Sequence, residues 1–73
     1  MTIYKVAYDP EISQETRKEI AENIEYSMES INGDTYMYPL LNIIDAKWLN
    51  IPEKDRDYLQ TLNNDGVDYI EFR

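Results

Sequence analysis

Ile20, Ile24, Met28 and Ile31 recur at intervals of four, four and three residues, the spacing that lines one face of an α-helix. At about 100° per residue, Glu11, Glu15, Glu19, Glu22, Glu25 and Glu29 fall opposite this stripe, within an arc of roughly 120°. The spacing predicts a helix over 12–31. Ser13 stands where an N-cap belongs, and Glu15 and Glu19 occupy early turns, where the helix dipole favours acids. Asn32-Gly33 closes the helix, because glycine accepts the left-handed conformation at C′. An amphipathic helix of this length has one apolar face to bury, and the rest of the chain must supply the surface that buries it.

The flanking segments read as that surface. "TIYKVAY" (2–8) mixes β-branched and aromatic residues and stops at Asp9-Pro10, so it predicts a strand. "DTYMYP" (34–39) is β-prone up to Pro39 and predicts a short strand. Residues 39–49 fit either a buried strand or a helix. The helix reading rests on Pro39 in a first turn and on Leu40, Ile44 and Trp48 sharing a face. Asn50 and Glu53 have the spacing of a capping box, ahead of a short helix over 52–63 with Tyr58, Leu59 and Leu62 facing inward. "NNDG" (63–66) is a turn, and "VDYIEFR" (67–73) alternates as a terminal strand. The expected fold is α+β, a small two-layer domain. Its terminal strands form a small sheet covered by one long acidic helix, with one or two short helices added.

With 73 residues, the chain has room for a single domain, 1–73. There is no cysteine, so neither a disulfide nor a zinc thiolate site can staple it, and a 42% hydrophobic content has to provide the core. No apolar run approaches the roughly 20 residues of a membrane span, and the N-terminus lacks a signal-peptide core. A cytoplasmic location is the expectation.

Chemistry is scarce. Histidine is absent with cysteine, which removes the commonest general base, the commonest metal ligand and any Ser-His or Cys-His nucleophile. Gly33 and Gly66 are too few for a phosphate-binding loop. "TLNNDGVDYIEF" (61–72) puts Asn63, Asp65 and Gly66 at calcium-loop positions, but Thr61 and Phe72 stand where Asp and Glu are required. "EKDRD" (53–57) reads as a solvated helix start, its acids paired locally with Lys54 and Arg56. The expectation is therefore a protein that is not an enzyme and takes no cofactor or metal.

Charge points to partners. Fifteen acids against seven Lys and Arg give a net charge of −8, which disfavours nucleic acid and anionic membrane as ligands and favours a basic protein. Within the stripe, Glu15-Glu19 and Glu25-Glu29 are like-charged i,i+4 pairs, and Glu19-Glu22 and Glu22-Glu25 are i,i+3 pairs. Each costs about 0.2–0.5 kcal/mol when exposed, and Lys18 alone answers them. A local rule broken without compensation points to function. Glutamates advancing roughly 4.5–6 Å along a helix can stand in for a phosphate backbone in a basic groove. The expected partner-binding residues are Glu15, Glu19, Glu22, Glu25, Tyr26 and Glu29. The expected partner is a nucleic-acid-binding protein, blocked as phage and mobile-element inhibitors block theirs. Glutamate's good helix propensity offers a plainer account of the stripe. The alternative is a structural or accessory module, binding through its tyrosine-rich sheet or as a homodimer across the "VDYIEFR" strand.

Overall fold

The computed structural model describes residues 4–29 and 36–73, with the side chains of Met28 and Glu29 excluded. Its elements are β1 (Val6–Tyr8), α1 (Gln14–Asn23), β2 (Met28–Glu29), β3 (Tyr36–Pro39), α2 (Leu40–Asp45), α3 (Glu53–Asn64) and β4 (Tyr69–Glu71). The sheet order is β1-β4-β3-β2. The two terminal strands pair directly, in parallel, and β4 pairs antiparallel with β3 on its other side. A small α+β fold is what the periodicities predicted. The "VDYIEFR" strand, however, lies inside the sheet rather than at its edge, so β1 and β2 are the edges among the described residues.

Register places the core. Ala7, Ile70 and Tyr38 are direct neighbours across three strands and belong to one face of the sheet. On that face they meet Ile20 and Ile24, Leu40 and Ile43 of α2, and Leu59 of α3 in one buried cluster. At roughly 1.5–3 kcal/mol for each large side chain removed from water, such a cluster is the main stabilising force available to a chain without crosslinks. Burial raises the ionisation range of the Tyr38 hydroxyl, and neighbouring Tyr36 adds to the effect.

The long helix is shorter than its periodicity predicts. It ends at Asn23, with Ile24 extended at the C-cap and donating to the Ile20 carbonyl at 2.8 Å. Asn23 Nδ2 takes the Glu19 carbonyl at 2.8 Å. Ser27 N–H then bonds the Met37 carbonyl, and Met28 and Glu29 pair with β3. Continuing the helix would have stacked Glu25 and Glu29 at its negative end, where cations are preferred and none occurs in the last turn. Pairing with β3 avoids that. Ile31 and Asn32-Gly33 lie outside the described residues, as do 2–3 and 34–35 of the predicted strands.

Residues 40–45 are helical, but the inward face differs from the one predicted: Ile43 is fully buried, while Trp48, in the turn that follows, is 65% exposed. In α3, Leu59 is buried, and Tyr58 and Leu62 are half-buried. Gly66, at φ +85°, ends this helix. Gly66 N–H bonds Asn63 and Val67 N–H bonds Leu62, the paired bonds of a Schellman motif. The Asn50–Glu53 box does not form. Pro52 is the N-cap, and proline has no N–H for a third-position acid to accept.

Candidate functional site

The acid freed by Pro52 is Asp55, and it is not solvated. It is 4% exposed and crosses to the start of α1. Its Oδ2 accepts from Ser13 Oγ at 2.9 Å, from Ser13 N–H at 3.3 Å and from the Thr16 hydroxyl. Ser13 meanwhile caps α1 as predicted, its hydroxyl accepting from Thr16 N–H at 3.3 Å. Burial alone would push the Asp55 carboxyl up, but the bonds from Thr16 and Ser13, with Lys54 nearby, outweigh it and hold the group below its ordinary value. Sequence reasoning missed this residue because its partners lie about forty positions away. The one available signal was Pro52, which leaves a first-turn acid without its local use.

The Asp55 clasp fixes the first turn of α1 and so aims its outer face. Glu15 and Glu22 are exposed there. Glu19, half-buried, accepts from Asn50 N–H at 2.9 Å, which ties the middle of the face to the α2–α3 connection. Lys18 reaches Glu22 at 4.0 Å with both side chains exposed. Glu25 and Tyr26 are exposed beyond the helix end, and Tyr26 packs on Tyr36 with ring centroids 4.4 Å apart. Glu29 lies in β2. The six expected partner-binding residues thus divide into three on the helix and three on the strand-bound segment after it. The Glu22-Glu25 and Glu25-Glu29 pairs are not helical neighbours, so only Glu15-Glu19 and Glu19-Glu22 repel along α1.

Four of the seven cations are engaged by the fold, Arg17 and Arg56 half-buried and Lys5 and Arg73 at its surface. Lys5 Nζ bonds the Asp65 carbonyl at 2.9 Å, and Arg17 Nη2 bonds the Pro10 carbonyl at 3.0 Å beneath Phe72. Arg56 holds the carbonyls of Lys47 and Leu49. Arg73 lies 4.2 Å over the Tyr8 ring and 3.8 Å from Glu71, a carboxylate only 7% exposed. Lys18, Lys47 and Lys54 are exposed as well, but they are outnumbered by the exposed acids. Among the described residues, no three metal-ligating side chains cluster so as to hold an ion, and no helix is long and apolar enough to cross a membrane. A groove of about 430 Å³ lies between α2 and α3. Comparison with protein-family models, with curated proteins and with solved structures finds no match.

Proposed function

We propose that this chain is a small non-enzymatic inhibitor or regulator that binds a basic protein, occupying a cleft that otherwise takes nucleic acid. What most supports the reading is the acidic face of α1, where Glu15 and Glu22 are exposed with Lys18 as the neighbouring cation, while three cations elsewhere are engaged by backbone carbonyls. Glu15, Glu19 and Glu22 advance along a rigid rod at intervals of roughly 4.5–6 Å, close to phosphate spacing, while Lys5, Arg17 and Arg56 are held by backbone carbonyls. Glu25 and Tyr26, exposed in the segment after the helix, would add to the contact, with Tyr26 as an aromatic anchor of a type common at interfaces. A field of −8 would speed encounter with such a partner.

The test is capture from a cell lysate at low and high salt, with the wild type beside a triple variant, Glu15→Gln, Glu22→Gln and Glu25→Gln. Basic nucleic-acid-binding proteins should be retained by the wild type at low salt, released at high salt and lost by the variant. Equal capture by both chains, or retention indifferent to salt, would overturn the reading.

A second reading has its own observation. Tyr4, just before edge strand β1, and Tyr8, at its end, are 50% and 53% exposed, which suits a module that associates through its tyrosine-bearing sheet. Light scattering across micromolar concentrations decides it: a constant monomer mass removes the homodimer.

A further inference from the structure

The groove between α2 and α3 has a chemistry unlike the rest of the surface. Its accessible apolar lining is Ile44 and Ile51, both half-buried, over a floor formed by the fully buried Ile43 and Leu59. Its charged lining is Lys47 and Arg56 against a single carboxylate, Asp57. On a chain of net charge −8, a locally cationic hollow with an aliphatic lining is the exception. Its volume of about 430 Å³ lies within the roughly 300–1,000 Å³ of small-molecule sites.

The two cations differ in how they are held. Arg56 is fixed, because Nη2 donates to the Lys47 carbonyl at 3.1 Å and to the Leu49 carbonyl. Its other guanidinium N–H groups have no partner among the described residues. Lys47 is exposed, and its ammonium makes no ion pair among those residues. One anchored donor and one exposed donor beside a partly aliphatic hollow suit a single carboxylate carried on a hydrocarbon body. A nucleotide fits poorly, since the lining has no aromatic ring to stack on and a polyphosphate would meet Asp57 as well as the net negative field.

We propose that this groove binds an aliphatic monocarboxylate of medium chain length, its hydrocarbon against Ile44 and Ile51 above the buried floor and its carboxylate at Lys47 and Arg56. The site is separate from the acidic face of α1 and does not depend on its role.

Octanoate, titrated below its micelle-forming concentration, is the probe. Binding is read by amide NMR shifts and by fluorescence of Trp48, the only tryptophan and the neighbour of Lys47 in the chain. Octanol and octyltrimethylammonium serve as controls. Octanoate should give saturable shifts centred on Ile43, Lys47, Ile51 and Leu59, and should bind tighter than either control. Lys47→Glu should weaken octanoate about tenfold, the scale of one lost charge-assisted hydrogen bond, with an unchanged melting temperature. Ile44→Gln, on the half-buried lining, should weaken octanoate and octanol together. Octanol binding as tightly as octanoate, shifts centred on the sheet, or Lys47→Glu binding like the wild type would each overturn the proposal. So would the same amides shifting with protein concentration alone, which would identify a second copy of the chain as the occupant.

Discussion

Asp55 shows how much one side chain can decide. Three donors converge on a single oxygen of a carboxylate that is 4% exposed, joining the first turns of α1 and α3. Removing that acceptor would leave Ser13 N–H and two hydroxyls without it, and a buried unsatisfied donor costs about 1–3 kcal/mol. Asp55→Ala should therefore destabilise the fold by about 2–4 kcal/mol in urea unfolding at neutral pH, through the lost bonds and the weakened cap together. The pH dependence has a definite sign. Because folding lowers this group's pKa, its contribution is complete above the unfolded value, about 3.9, and is lost as pH falls through the folded value. Unfolding free energies measured from pH 6 downward should fall more steeply for the wild type than for Asp55→Asn, and parallel curves would refute the assignment. Ser13 was legible in the sequence because capping is local. Asp55 was not, because local rules predict pairing with Lys54 and Arg56 and say nothing of a partner beyond α1. Glu71, buried beside Arg73, was hidden because its burial comes from β4 lying between β1 and β3, which strand alternation alone does not reveal.

At the scale of elements, periodicity identified where structure forms better than where it stops. The apolar repeat through Ile20 and Ile24 belongs to α1, but Met28 continues it only by coincidence of spacing, since it lies in β2. Helix and strand compete over 24–29. The outcome turns on pairing with β3, whose partners lie outside any window that a repeat can scan. Trp48 was misplaced for a related reason: the helical face of Leu40 and Ile44 does not extend through the turn after Asp45. Ending α1 at Asn23 also removes two of the four like-charged pairs that a helix over 12–31 would carry. The remaining cost is small and adjustable. Glu22→Lys gives up the exposed Lys18 contact at 4.0 Å and sets a like charge four residues from Lys18, but it gains an opposite charge three residues from Glu19 and a cation near the helix C-terminus. Its stability should rise by no more than about 0.5 kcal/mol. Retained capture of a basic partner by this variant would show that the α1 face is only a solvated surface. The C-terminus of α3 allows a cleaner test of a stop signal. At φ +85° Gly66 would give an added Cβ no heavy atom within 4 Å, so Gly66→Ala carries backbone strain without a clash. A loss of about 1 kcal/mol in thermal or urea unfolding is expected.

Across the whole molecule, charge sets the balance. The described chain measures 33 × 25 × 19 Å. At 0.01 M salt the screening length is about 30 Å, so every charge acts on nearly every other, whereas at 0.1 M it is about 10 Å and only neighbours interact. Fifteen acids against seven cations make the long-range sum repulsive. Among the described residues the opposing ion pairs that salt would also weaken are few, each with at least one side chain near half exposed or more: Arg17–Asp9 at 3.7 Å, Lys18–Glu22 and Arg73–Glu71. Exposed pairs contribute only about 0–1 kcal/mol each, so screening should relieve more repulsion than it removes attraction. The melting temperature should rise as sodium chloride increases from 0.01 to 0.1 M and then level off, the remaining interactions being short. The triple Glu15, Glu22 and Glu25 to Gln variant should start higher at low salt and gain less across the same range, with the two curves converging at moderate salt. Binding to a basic protein should run the other way, weakening over the range in which the free domain gains stability. A melting temperature that falls with salt would mean that the internal ion pairs outweigh the net charge and are the main electrostatic support of the fold.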